Sequence, residues 1–319
     1  MRGSEVGMTV NTIVSKVAEL LAGGEGPRRA EHLTDLFRQL LAEKESLNKH
    51  VRRLGRRPDA AFYLAVGAVK TKRVDVDVRI AGQSCGTLRL DSGTDRLFAP
   101  AKNHTDLWGG SPGPLEWRDP RVRKYLDDAA KRIKQKQREA TVESAFLVEL
   151  GRLRSIEKQR FLWHHQPVRL GQLPFQFPLP ISAHGAEPCL PKGSSAGHAD
   201  VIARRSRGRL RVFEVKKPGA RDAIHALAQA VAYAATLRLL LAKWPGVYLP
   251  MLGYSPTPAS LRIDAVALVG DGDRKRAREA AEHLLSENGH FDLYVMGYTF
   301  SGGRPLVITG EDAVGSAER

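Results

Sequence analysis

The sequence predicts an α/β fold: a mixed sheet flanked by helices, preceded by a separate α+β module. Three observations predict it. In the second half, short apolar strand patterns alternate with helical ones, which points to an α/β core. In the first half, helical periodicity gives way to strand alternation. Between the halves lies Trp108-Gly-Gly-Ser-Pro-Gly-Pro114, a run of turn-forming residues that reads as a boundary. The expected division is residues 1–115 for the N-terminal module and 116–319 for the second domain, and a length of 319 suits two domains of about 150 residues each.

The elements follow in order. Val10, Ile13, Val14, Val17, Leu20 and Leu21 share one helical face, with Thr9 or Asn11 as cap and Gly23-Gly24 as stop. Leu33, Leu36, Phe37, Leu40 and Leu41 repeat the pattern in a second helix. The two either pack as a hairpin or offer a surface to a second copy or a partner protein. Val74, Val76, Val78 and Ile80 alternate with Asp75, Asp77 and Arg79, a half-buried strand. A turn over Ala81–Gly86 leads to Thr87–Leu90, the other arm of a hairpin. Asp75 and Asp77 share a face, and the wet side of a strand is a simpler reading of them than a metal pair. Arg118–Arg138 reads as a basic helix that continues into Thr141–Arg154. Beyond it, Phe175–Ser182 reads as extended, His198–Ala203 and Leu210–Val215 as strands, and Asp222–Lys243 as a helix stopped by Pro245-Gly246. Leu261–Val269 (strand), Asp273–Leu285 (helix) and Phe291–Phe300 (strand) complete the pattern.

Charge sets the class of partner. The chain carries 50 Lys+Arg against 35 Asp+Glu, a formal charge of +15 and a pI near 10.0. Such a surplus calls for a polyanion: nucleic acid first, an anionic membrane surface second. Nine of the basic residues fall between Arg118 and Arg138 against three acids. A solvated helix face explains part of that cluster; its single sign favours nucleic acid. No apolar run approaches the ~18–20 residues of a membrane span, and Met1–Val10 lacks a secretory apolar stretch. The two cysteines, Cys85 and Cys189, make neither a disulfide framework nor a four-Cys zinc site. A cytoplasmic location and no membrane partner are therefore expected. No Walker loop or dinucleotide glycine fingerprint is present, so nothing calls for ATP or NAD.

The chemistry is concentrated between Gly197 and Pro218. Two strands flank a turn at Arg205–Gly208. Folding that hairpin about residue 207 sets Asp200 opposite Glu214, where cross-strand Cβ atoms lie ~4.5–5.5 Å apart. Two carboxylates so close repel unless a cation lies between them. Hard oxygen ligands suit Mg²⁺, with Mn²⁺ as a substitute. Glu214 and Lys216 project from one face of their strand, which places an ammonium beside the site, ready to orient or deprotonate water or to stabilise a pentavalent phosphate.

Asp200, followed by Glu214-Val215-Lys216 at the end of the next strand, resembles the PD-(D/E)XK nuclease superfamily, the restriction-endonuclease-like fold. The resemblance runs from roughly Thr141 to Tyr233; Ala199 stands where the family has proline. It implies that Asp200, Glu214 and the Val215 carbonyl hold the divalent metal, with Lys216 at the water. It also implies a metal-binding Glu on the preceding helix, for which Glu143 is the first choice and Glu149 the alternative. Gln229 and Tyr233, four apart on one helical face, are similar to the Gln-x-x-x-Tyr of recombination and repair members, where the pair braces the site or touches nucleic acid. Asp264 with Asp273-Arg-Lys275 is a rival set, but Asp273 opens a helix, where aspartate normally caps. Arg132, Lys134, Lys136 and Arg138 of the basic helix, Arg205 and Arg207 of the hairpin, and Lys217 are the expected DNA-backbone contacts. His164, His165 and His198 read as structural. The expectation is a Mg²⁺-dependent deoxyribonuclease, an endonuclease of restriction or phage defence or of DNA repair. The alternatives are a nucleic-acid-binding protein with a degenerate nuclease core and a nuclease acting on RNA.

Affinity for duplex DNA should fall steeply with salt, each neutralised phosphate adding a slope of about −0.9 in log K against log salt. A flat anisotropy titration across the salt range would remove nucleic acid as the main partner.

Overall fold

A computed structural model describes residues 9–42, 44–45, 60–64, 74–80, 83–90, 95–98, 114–132, 139–151, 159–170, 173–174, 176–192, 196–205, 208–254, 260–284, 291–300 and 306–315. The chain is α/β, with a mixed six-stranded sheet and, among the described residues, seven α-helices. Helices α1 (Val10–Ala22) and α2 (Gly26–Ala42) open it. Thr9 caps α1, its hydroxyl accepting from the Thr12 amide, and Gly23 follows the last turn. Then come β1 (Ala60–Leu64), β2 (Val74–Ile80), β3 (Gln83–Leu90), β4 (Asp95–Phe98) and β5 (Leu115–Glu116). They pair antiparallel in sequence order as a five-stranded sheet. The expected strand at Val74–Ile80 and its hairpin partner are both present.

Helices α3 (Pro120–Arg132) and α4 (Glu139–Gly151) follow. The basic stretch is thus helical to Arg132, while Lys134, Lys136, Arg138 and the Trp108–Gly113 loop lie outside the described residues. Short pieces come next: β6 (His165–Pro167), β7 (Arg169–Leu170), β8 (Leu173–Pro174), β9 (Phe177–Leu179), β10 (Ser182–His184), β11 (Glu187–Cys189) and β12 (Gly197–Ala199). The remaining elements are β13 (Val201–Arg205), β14 (Arg209–Val215), α5 (Ala226–Lys243), α6 (Pro245–Met251), β15 (Arg262–Gly270), α7 (Asp271–Glu282), β16 (Asp292–Thr299) and β17 (Val307–Gly315). The main sheet has the order β17-β16-β15-β14-β13-β6. Its centre, β14-β15-β16, is parallel, and its flanks are antiparallel.

Strand alternation explains how this sheet is covered. Val201, Ala203, Phe213, Val215, Val266 and Leu268 form a cluster with Val142, Phe146 and Leu150 of α4. The intervening Ile202, Leu210, Val212, Ala265 and Ala267 join the cluster of Leu227, Ala230, Val231 and Ala234 from α5. β15 is buried on both faces, so it reads as a nearly continuous apolar run. Alanines along α5 let it lie close to the strands. The helical stretch Arg221–Lys243 is, contrary to the sequence reading, long and apolar enough to cross a membrane by length and composition. It instead lies mostly buried inside the protein.

The N-terminal helices do not stand apart. Val10, Ile13, Val17 and Phe37 belong to the same apolar cluster as α5, and so do Val78, Cys85 and Leu88 of the N-terminal sheet. Phe37 packs its ring 5.0 Å from Phe177 and 5.4 Å from Tyr248. A division at residue 115 therefore cuts through shared core, because the inward faces of α1 and α2 find their apolar partners in the second half of the chain.

Phe37→Ala should cost about 3–5 kcal/mol, the usual loss for a buried Phe. It should lower the Tm of one cooperative transition for the whole chain. Two separate transitions in calorimetry, with only one of them moved, would show an independent N-terminal unit.

Candidate active site

The site is built on the β13–β14 hairpin. The register Val201↔Phe213 continues to Asp200 opposite Glu214, as the fold about residue 207 requires. Asp200 sits where β12 bends into β13, and its Oδ2 accepts the Val215 amide at 2.8 Å. Glu214, at 5% exposure, lies near the carboxyl end of a parallel strand, the end at which open α/β sheets bind ligands. Glu139, the first residue of α4, brings a third carboxylate from across the sheet end. One oxygen from each of Glu139, Asp200 and Glu214 lies within 4.8 Å of the others.

Lys216 lies among carboxylates. Its Nζ donates to Glu214 Oε1 at 2.8 Å and lies 3.4 Å from Glu139 and 3.3 Å from Asp222. Its backbone carbonyl accepts the Tyr298 hydroxyl at 2.7 Å, and its amide donates to Leu268, so both ends of the residue are pinned. Burial alone would lower its pKa. The carboxylates of Glu214, Glu139 and Asp222 more than reverse this, so the group is a firm ammonium. The acids move the other way. Burial, with the nearby Glu139 charge, pushes Asp200 up to about 7 against the pull of the Val215 amide and Lys216. Burial and Asp200 raise Glu214 well above the carboxylate range. Burial and Asp200 also bring Glu143 to about 8.

Of the expected residues, Asp200, Glu214 and Lys216 come together. The part of Val215 that the hydrogen bonds place here is its amide. Glu143 lies one turn beyond Glu139, buried, with Oε2 accepting from Gln176 at 3.0 Å. It stands beside the group of three carboxylates and is not one of them. Glu149 is turned away, bonded to Gln159 near β17. Gln229 and Tyr233 are both buried in the first half of α5. Gln229 Nε2 reaches the Ala183 carbonyl at 3.5 Å, while burial, Glu214 and Asp200 all raise the Tyr233 phenol.

Arg205 ends β13 half-buried, Lys217 is exposed beside the site, and Arg207 lies outside the described residues. Arg132 closes α3. His164 is exposed; His165 is buried, its ring centroid 6.3 Å from that of Phe213. His198 is exposed on β12. The rival set does not assemble: Asp264 is buried on Arg209 and Arg211, Asp273 accepts the Gly219 amide and pairs with Arg276, and Lys275 points to solvent.

Sequence reasoning missed Glu139 and Asp222. Glu139 is detectable only from its i, i+4 spacing to Glu143, which puts both on one face of α4. The basic run ending at Arg138 masks it.

The donor set fits a hard divalent cation. Three carboxylate oxygens converge, and Glu214 Oε2 is buried with no hydrogen-bond partner. An uncompensated buried acceptor of this kind costs free energy that a cation offsets. Comparison with protein-family models, curated proteins and solved structures finds no match to this chain.

The raised carboxyls make a signed prediction for the cation-free protein. Asp200, at about 7 against an ordinary 3.8, keeps a proton in the folded state that the unfolded chain has lost. Stability should therefore fall as pH rises from about 4 to about 8. Asp200→Asn should flatten that slope and raise the Tm at pH 8 by at least ~1.5 °C, roughly the shift per kcal/mol for a chain of this size. Mg²⁺ should raise the wild-type Tm at pH 8 and leave that of the variant unmoved. A wild-type Tm insensitive to both pH and Mg²⁺ contradicts this account of the cluster.

Proposed function

We propose that the protein is a divalent-metal-dependent nuclease of the PD-(D/E)XK type, an endonuclease that hydrolyses phosphodiester bonds in DNA. One observation carries the reading: Asp200 and Glu214 face each other across a hairpin with Lys216 two residues further along, 2.8 Å from Glu214. The order of elements supports it. A helix (α4) precedes the antiparallel β13–β14 pair, a helix (α5) follows, and a parallel strand (β15) continues the sheet, as in a restriction-endonuclease-like core. The +15 charge supports a polyanionic substrate. A role in restriction, phage defence or DNA repair suits that activity.

Asp200, Glu214 and Glu139 would hold Mg²⁺ or Mn²⁺, joined by the Val215 carbonyl if the resemblance extends to it. Such a cation supplies charge neutralisation at the scissile phosphate and the leaving 3′ oxygen. Lys216 works as a donor. Ringed by carboxylates it keeps its proton, so it orients the attacking water and offsets charge on the phosphate, and it does not act as a base. Glu139, with its side chain 43% exposed, leaves one of the three carboxylates open to solvent. Tyr298 fixes the Lys216 backbone, and Gln229 and Tyr233 brace the wall formed by β10.

The test uses circular and linear DNA, each with Mg²⁺ or EDTA. The expected result is Mg²⁺-dependent cutting of circles. Asp200→Asn and Lys216→Gln should remain folded by thermal melts and still bind DNA. Their cleavage should drop at least ~10²-fold, the scale of losing one positioned electrostatic group. Full activity in Lys216→Gln overturns the assignment. Tight DNA binding with no cutting by the wild type would instead favour a binding protein with a degenerate core.

A further inference from the structure

Lys216 and a divalent cation draw on the same oxygens. The Lys216 ammonium lies 2.8 Å from Glu214 and 3.4 Å from Glu139. Those two acids, with Asp200, are the carboxylates that converge within 4.8 Å of one another. Positive groups that share ligands compete for them, and they repel each other when both are in place. An ammonium that works beside the cation therefore needs an anion outside the cation's own ligand set. Among the described residues, one carboxylate in ion-pair range of Lys216 meets that condition. Asp222 Oδ2 lies 3.3 Å from Lys216 Nζ, and Asp222 does not belong to the converging group.

The backbone holds Asp222 in this place. Asp222 is the second residue of a short 3-10 helix, Arg221–His225, that follows the Lys216 strand. The connection between them is tied down at each step. The Lys216 amide donates to the Leu268 carbonyl, and the Lys216 carbonyl accepts the Tyr298 hydroxyl. Gly219 turns the chain at φ +70°, a conformation that favours glycine. Its amide donates to Asp273 of α7 at 2.6 Å. The Ala220 carbonyl accepts from Arg276 at 2.9 Å, and Arg276 pairs in turn with Asp273 at 3.0 Å. Ala220 and Ala223, before and after Asp222, are buried. Helix α7 thus straps the segment that carries Asp222, while the Asp222 side chain stays 52% exposed. An ion pair with so exposed a partner adds little to stability. The strap serves instead to keep a carboxylate opposite a buried ammonium.

We propose that Asp222 is a positioning residue for Lys216: it holds the ammonium when Glu139 and Glu214 hold the cation, and so lets both positive groups occupy the site together. This rests on the cation site of the reading above. Without Asp222, the carboxylates in range of the ammonium are two of the cation's own ligands, and each positive group is bound at the expense of the other.

The test reads the half-saturating Mg²⁺ concentration from the Mg²⁺-induced rise in Tm at pH 8. It compares full-length wild type, Asp222→Asn, Asp222→Glu, Lys216→Gln and the double variant Asp222→Asn/Lys216→Gln. In EDTA, Asp222→Asn should melt with the wild type. With Mg²⁺ it should need about tenfold more for half-saturation, a coupling of the size found within one charge network. Asp222→Glu keeps the charge and should recover most of that loss. Lys216→Gln removes the competing ammonium, so in that background Asp222→Asn should change the Mg²⁺ requirement by less than about twofold. In cleavage at saturating Mg²⁺, Asp222→Asn should lose kcat about tenfold with the KM for DNA unchanged. An unchanged Mg²⁺ requirement in Asp222→Asn overturns the Asp222 proposal alone. Equal weakening with and without Lys216 also overturns it, because Asp222 then acts on the cation as a nearby charge. A lower Tm in EDTA with no change in the Mg²⁺ requirement assigns Asp222 to folding and overturns it too. A wild type that never cuts DNA but shows the Lys216-dependent shift overturns the nuclease reading and leaves the role of Asp222 standing. A wild-type Tm that ignores Mg²⁺ and Mn²⁺ alike overturns both.

Discussion

Burying carboxylates against one another is costly, and most of the site exists to make it tolerable. Each buried ion costs several kcal/mol before any compensation. Asp200 takes the Val215 amide, Glu214 takes the Lys216 ammonium, and Lys216 also reaches Glu139 and Asp222. None of these contacts survives a shift of the hairpin. The register Val201↔Phe213 decides whether the acids meet at all. That register is held by apolar residues on both faces of β13 and β14, which α4 and α5 cover. The core thus does more than stabilise the fold: it holds in place a charge pattern that would otherwise separate.

The two helices that cover the sheet have different compositions for a physical reason. α5 is rich in alanine and lies against β14 and β15, where short side chains permit close approach. α4 carries Val142, Phe146 and Leu150 inward in the middle and acids at its amino end. A helix amino terminus favours negative charge, so Glu139 in the first turn is stabilised by its own helix while serving the site.

Much of the core was legible in the sequence. The hairpin about residue 207, the opposition of Asp200 and Glu214 and the position of Lys216 follow from strand alternation alone. The central strands and α5 show in their apolar runs. Less legible was anything that depends on contacts distant in sequence. Glu139 follows a basic run and joins the site only because α4 crosses the sheet end. The bulge at Cys85, where pairing steps from Val78↔Gly86 to Arg79↔Ser84, leaves no mark in composition. The packing of α1 onto α5 and of α2 onto α6 was hidden too, since an amphipathic face says that something covers it and not what. The sequence puts Glu143 first and leaves Glu149 as the alternative; their different hydrogen bonds, to Gln176 and Gln159, separate them.

The opposite end of the sheet has its own charge cluster. Asp264 of β15 pairs with Arg209 and Arg211 of β14; Arg209 also meets Asp292 of β16, and Arg211 meets Glu311 of β17. Arg211 is fully buried and lies over the Tyr294 ring at 4.4 Å. This bears on strand alignment. β15 is apolar on both sides, so sliding it by two residues past β14 would exchange one buried aliphatic for another at little hydrophobic cost. The same slide would strip Asp264 from both arginines and leave buried charges without partners, a loss of several kcal/mol. Four strands are in this way indexed by a polar peg rather than by shape. An engineer repacking the aliphatic positions of β15 has wide latitude, while Asp264 and Arg211 are the pair whose exchange for neutral residues would let the central strands find more than one alignment.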